Sequence, residues 1–291
     1  ACQRMSPIAN LNFRTSGMSG IRAIKNLDKS LVENSARETL SESLSSLHSK
    51  LLKSPMQLLA IGEDSQAELI TQDIPSIWST NAPFSDKHTS LPTLRERSRE
   101  LWLCNTQINF CAKAYPTVSS AHPDAAALTV LAGVLRNGFL HTAIREQGGA
   151  YGGGASQDSG SATFRFYSYR DPRLSETLDD FDQSIQWLIG EDLEWRLVEE
   201  AILGTISSLD KPASPAGTAK QHFHNLLFDR TPEHQREFRQ AVLAVTQKDL
   251  KRVAETYFSP EQASVGVITH KGESKRYQPL CDSLDISIES L

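Results

Sequence analysis

Metal-binding signatures are missing from this 291-residue chain. Neither H-E-x-x-H nor H-x-x-E-H occurs, and the eight histidines do not cluster. His222 and His224 stand two apart, which on a helix points them to different faces. No metal site assembled from this chain alone is therefore expected. Cysteine is scarce: Cys2, Cys104, Cys111 and Cys281 are scattered, with no C-x-x-C. That spacing argues against a disulfide framework, and Cys104 and Cys111 read as small apolar packing residues. No Lys/Arg stripe is present and the formal net charge is −5, which speaks against nucleic acid as a partner. No apolar run approaches the roughly 20 residues of a membrane span, and no signal peptide opens the chain. The first residue is Ala1 and a helical pattern follows soon after, so the chain reads as a piece of a longer one. Missing targeting signals then say little about compartment; a cytoplasmic or organellar matrix setting is favoured over a secreted one.

What is present is ordinary for a globular protein, with 39% hydrophobic and 22% charged residues and enough length for one to two domains. Residues 1–16 are polar and read as irregular. Ile21, Ile24, Leu27 and Leu31 mark one helical stripe, and Leu40, Leu44, Leu47 and Leu51 a second that Pro55 ends. Residues 56–61 read as a short strand and 65–69 as a short helix. Residues 79–93 are rich in Ser, Thr, Asn and Pro, which fits a linker or a long surface loop. Beyond them come a strand at 107–115, a helix at 125–135 that Asn137-Gly138 should break, and a second short helix at 139–146. Residues 156–158 and 162–169 read as strands. In the latter, Phe164, Phe166 and Ser168 alternate with Thr163, Arg165, Tyr167 and Tyr169, which gives two different faces. Asp171-Pro172 predicts a helix start. Helices follow at 193–209, 216–228, from Thr231-Pro232 to about Leu243, and from a Thr246 cap to Tyr257. A strand at 264–269 and a polar loop and tail over 271–291 complete the chain. Strands grouped early and helices late predict an α+β fold, with helices packed on one face of a mainly antiparallel sheet.

The stretch that stands out is Ile144-Arg145-Glu146-Gln147-Gly148-Gly149-Ala150-Tyr151-Gly152-Gly153-Gly154. Six of the sixteen glycines lie between Gly148 and Gly160. Such a patch lets backbone approach closely, either to another strand or to a ligand. Read as a phosphate cradle it is weak, because it follows a helix and no G-x-x-x-x-G-K-[ST] occurs. By residue chemistry alone Tyr151 is a strand residue and Arg145 a surface or ion-paired helix residue. His141, one turn before Arg145, reads as structural, with a place on a chamber wall as the alternative. Arg170-Asp171 reads as a capping and packing corner.

The motif 144–152, followed by Phe166-Tyr167-Ser168-Tyr169-Arg170-Asp171-Pro172, resembles the C-terminal half of the pitrilysin/insulinase-type zinc metallopeptidases, most closely the presequence protease branch. The resemblance implies a four-domain protein whose two halves close over an unfolded peptide. Residues 1–92 would then be the end of the third domain plus linker, and 93–291 the fourth. Zinc would be bound by the absent N-terminal half, which is also the natural partner of this piece. By the same resemblance Arg145 and Tyr151 would be catalytic, and Gly148, Gly149, Ala150 and Gly152 would meet substrate. The competing reading is a non-catalytic homologue that serves as a scaffold or partner subunit.

Overall fold

The computed structural model describes residues 1–54, 57–77, 94–228 and 230–291. They fall into two compact units. One comprises Ala1–Arg22, Pro92–Lys211 and Pro232–Leu291; the other comprises Ala23–Leu91 and Pro212–Thr231.

The first unit is built on six strands: β1 (Arg99–Cys104), β2 (Phe110–Pro116), β3 (Gly152–Asp158), β4 (Thr163–Tyr169), β5 (Ser264–His270) and β6 (Ser287–Ser290). Their order is β3-β4-β2-β5-β1-β6. β3 with β4, β4 with β2 and β2 with β5 run antiparallel; β5 with β1 and β1 with β6 run parallel. The expected α+β fold with a mainly antiparallel sheet is what the chain forms. On the inner face, Tyr115 opposes Phe164, and Cys111 opposes Val267. Helices α5 (Ala125–Leu135), α6 (Ser175–Gly190), α7 (Trp195–Leu209) and α10 (Gln247–Tyr257) supply Leu128, Phe181, Val198 and Leu250 to the same core. An aromatic cluster sits at its centre. Phe164 lies 4.7 Å from Phe258 and Phe166 lies 5.6 Å from Phe181, ring centroid to ring centroid. Each such burial contributes about 1.5–3 kcal/mol.

Alternation in β4 follows the expected pattern: Phe164, Phe166 and Ser168 are buried, while Arg165, Tyr167 and Tyr169 are exposed. Two charged pairs tie sheet and helices together. Lys113 on β2 reaches both carboxylate oxygens of Asp182 on α6 at 2.6 Å. Asp124, just before α5, accepts from Arg252 at 2.6 Å and from the Tyr257 hydroxyl at 2.7 Å, both on α10. Arg252 first, then Tyr257, holds the Asp124 carboxyl below the usual carboxylate range, against the opposing pull of burial. Burial pushes the Cys111 thiol up to about 12. A buried protonated thiol is an inert packing group.

Several expectations are corrected. Residues 7–15 form a helix, α1 (Pro7–Thr15), where an irregular segment was expected. The Ser6 side chain accepts from the Ala9 amide and Pro7 opens the first turn. Residues 57–63 form no strand, and Leu58 and Ile61 are exposed; Met56 and the 79–93 linker lie outside the described residues. The short helix at 65–69 is the longer α4 (Asp64–Ile77). β1 has no counterpart in the sequence reading, because its buried positions, Leu101 and Trp102, are adjacent rather than alternating. Asn137-Gly138 does not break the helix. α5 continues directly into a π-helical segment, Arg136–Gln147. A side chain at Gly138 would stand 2.6 Å from Trp187 and 2.7 Å from Leu197, so this glycine serves close packing. α6 begins at Ser175 rather than at Pro172, because the buried Asp171 carboxylate binds the Arg173 amide and the Thr177 hydroxyl. The polar tail folds into α11 (Ser274–Leu284) and β6, anchored by buried Tyr277, Cys281 and Ile286.

In the second unit, the helices α3 (Asn34–Leu52) and α8 (Pro215–Leu227) form where periodicity places them. Leu44, Leu47 and Leu51 nevertheless stay exposed.

Asp124→Ala should destabilise the protein by about 1–2 kcal/mol at neutral pH, since two hydrogen bonds to an ionised carboxylate are lost and Arg252 is half exposed. The folded carboxyl titrates below its unfolded value. Its contribution is therefore complete above about pH 4 and fades as pH falls through the folded value. Urea denaturation across pH measures this. A wild-type–variant gap that does not narrow in acid would remove the charge from the explanation.

Candidate substrate-contact site

The site is built where a buried helix ends against the sheet's edge. α5 and the π-helical segment form one helical run, Ala125–Gln147, of 23 residues. It is, among the described residues, one helix long and apolar enough to cross a membrane. Here its apolar side chains pack inside the protein: Leu128, Leu131, Val134, Leu135, Leu140 and Ile144 are fully buried. Burial of Leu140 and Ile144 fixes the rotation of the π-helical segment, which leaves His141, Arg145 and Glu146 at the surface.

The helix ends in a tight turn. The amides of Gly148 and Gly149 both donate to the Arg145 carbonyl, and the Ala150 amide donates to the Ile144 carbonyl at 3.1 Å. Gly149 has φ +78°, a left-handed conformation that other residues adopt at a cost, and it reverses the chain into β3. Beneath the turn lies Arg173. Its guanidinium donates to the Ala143 carbonyl at 3.1 Å and to Asp180 on α6 at 2.8 Å. A Cβ on Gly148 would collide with that guanidinium and would sit 2.5 Å from the Ile144 carbonyl oxygen.

Tyr151 stands at the far end of the turn. Its amide donates to the Arg170 carbonyl at 3.2 Å, which holds the backbone against the end of β4. Its ring is 70% exposed and meets Tyr169 edge-on at 5.9 Å. Tyr169 in turn meets Phe110 at 5.4 Å. This aromatic row leads onto the outer face of the sheet, where Trp102, Tyr167 and Ile268 line a groove of about 500 Å³.

The structure thus separates the six residues singled out by sequence. Arg145 and Tyr151 are exposed side chains at the two ends of one rigid turn. Gly148 and Ala150 are buried and Gly149 supplies the reversal, so their demonstrable work is in the turn itself. Gly152 is different: nothing lies within 4 Å of where its side chain would be, so its surface is open to an approaching backbone. Arg173 is the positioning residue that sequence reasoning missed. No pattern could announce it, because it meets the turn from 25 positions further along and only through folding. Asp171 and Arg170 form the expected corner. Asn109 and Asp171 exchange backbone hydrogen bonds, and Arg170 takes φ +53°.

Among the described residues no group of three or more His, Cys, Asp or Glu side chains could hold a metal ion. These side chains do not by themselves make a zinc site.

Residues 99–271 match the family described as PreP C-terminal domain. The chain belongs to that family. Similarity to the mitochondrial presequence protease of Yarrowia lipolytica reaches 30% identity over 272 residues, covering 92% of this chain and 27% of that protein. The matches span between 15% and 27% of the length of the curated relatives. Among solved structures, a protease from Helicobacter pylori aligns with TM-score 0.59 at 14% identity, over 72% of this chain and 53% of that one. Pitrilysin aligns with TM-score 0.54 at 12% identity, over 72% and 23%. At such identities the structural likeness speaks for the fold alone. The family match agrees with the presequence protease branch that the motif at 144–152 implied, and the chain shares its fold with pitrilysin.

Gly148→Ala should lower stability by about 1–3 kcal/mol, as overpacking against backbone does. Gly152→Ala should leave the melting temperature within about 1–2 °C of wild type, because the added methyl meets nothing. Equal losses from the two substitutions, read by thermal denaturation, would contradict this account of the turn.

Proposed function

We propose that this chain is the C-terminal, substrate-enclosing portion of a zinc-dependent oligopeptidase that hydrolyses unfolded peptides. The observation that carries the proposal is the exposed pair Arg145 and Tyr151 held at the two ends of a buried, hydrogen-bonded turn. A tyrosine hydroxyl aimed at the scissile carbonyl oxygen donates a hydrogen bond that strengthens as negative charge develops there. The Arg145 guanidinium stays protonated and offers a planar fork of donors for a peptide carbonyl or carboxylate. Gly152 leaves room for the substrate backbone beside Tyr151. The residues beside Gly152 serve the turn that presents both donors.

In this reading, residues 1–92 end the preceding domain and include a linker, and 93–291 are the last domain. Zinc, with the water it activates, belongs to the portion of the natural protein that carries the metal ligands. That portion is the partner across a closing chamber, so closure gates turnover. The name of the Yarrowia relative, a mitochondrial presequence protease, supports a mitochondrial location and peptide substrates.

In the full-length protein Tyr151→Phe should lower kcat roughly 10²–10³-fold and change KM much less. Zinc content and chelator-sensitive cleavage of an unstructured peptide are measured beside it. Stoichiometric zinc with unimpaired Tyr151→Phe would remove Tyr151 from the mechanism. Absence of both zinc and cleavage would move the protein to the scaffold class.

A further inference from the structure

The π-helical segment Arg136–Gln147 does something an α-helix cannot. With 3.6 residues per turn, residues i and i+4 are neighbours, but i+5 lies about 140° away around the axis. In a π-helix, with about 4.4 residues per turn, i+4 and i+5 fall on either side of i, each within about 50°. Residue i is here His141, i+4 is Arg145 and i+5 is Glu146. The histidine touches both. Its Nδ1 lies 3.3 Å from Glu146 Oε1, and its Nε2 lies 3.5 Å from Arg145 Nη1.

Glu146 stands beside Nδ1 as a neighbouring charge, and the hydrogen-bonding contact of the ring is the one with Arg145. A guanidinium only donates, so Nε2 must be the bare nitrogen that receives Arg145. A protonated imidazole would present N–H to N–H at Arg145 and place two positive charges side by side.

We propose that His141 is a positioning residue for Arg145: its Nε2 holds one edge of the Arg145 guanidinium. The remaining N–H donors of Arg145 are left to meet the peptide. The inference rests on the proposed substrate-contact role of Arg145. Other charges on the helical run and its neighbours stand apart from this trio. Arg173 and its partner Asp180 bind beneath the turn, at the Ala143 carbonyl, and Arg136 lies against Gly154 at the opposite end of the segment. β3 carries no charge from Gly152 to Gln157.

The test is steady-state cleavage of a fluorogenic unstructured peptide by the full-length protein, for wild type, Arg145→Ala, His141→Ala and His141→Gln. His141→Ala should lower kcat/KM roughly tenfold. A glutamine side-chain carbonyl can accept from Arg145 as the bare Nε2 does, so His141→Gln should recover most of that loss. An impaired Arg145→Ala beside a normal His141→Ala would overturn the inference and leave the site reading intact. An unimpaired Arg145→Ala would overturn both. A His141→Gln as poor as His141→Ala would reduce His141 to a structural residue.

Discussion

Arg173 lies where a side chain at position 148 would be, and the site depends on that exchange. The guanidinium binds the last helical turn through the Ala143 carbonyl and is itself held by Asp180 on α6. Because Gly148 has no Cβ, the turn settles directly onto it. A partly buried charge pair of this kind adds little net stability, since desolvation offsets most of the attraction. Its effect is geometric. It fixes the helix end relative to α6, and hence the direction in which Arg145 leaves one end of the turn and Tyr151 the other.

The same fold turns an apolar core helix into a presenter of polar groups. α5 is buried along most of its surface, and its extension keeps only Leu140 and Ile144 fully inside. Wider π-helical winding changes which residues share a face. His141, Arg145 and Glu146 become one surface group where α-helical winding would have split them. The glycine patch then enters the sheet as its edge strand, β3. Gly153 is packed against Ile144, with 2.8 Å from the position of a Cβ to the Ile144 side chain, while Gly152 remains open. One run of small residues therefore serves two purposes, close packing on the helix side and access on the other.

Much of this was legible in residue order. The alternation in β4, the Thr246–Asp249 capping box and the apolar stripe of α6 are local patterns with local causes. So is the motif at 144–152, whose Arg and Tyr do emerge as exposed side chains. The misses share another cause. Met56–Ile61 looks like a strand, yet residues 57–61 find no partner strand. α11 and β6 look like a tail, yet a few apolar residues, Tyr277, Cys281 and Ile286, find places in the core. Whether a weak pattern becomes structure depends on what lies opposite, which periodicity does not encode.

By itself, then, the amino-acid order determined the α+β class, most helices, the alternation that gives the sheet its two faces, and the positions of Arg145 and Tyr151. These follow from side-chain periodicity, capping chemistry and the conformational freedom of glycine, all of which act over a few residues. Tertiary structure alone decided that Asn137-Gly138 continues a helix instead of breaking it. It decided that Gly148 is reserved for Arg173, while Gly152 stays open, and that His141 stands between Arg145 and Glu146. Each of these is settled by contact between groups far apart in the chain, or by a helical winding that packing on both sides imposes.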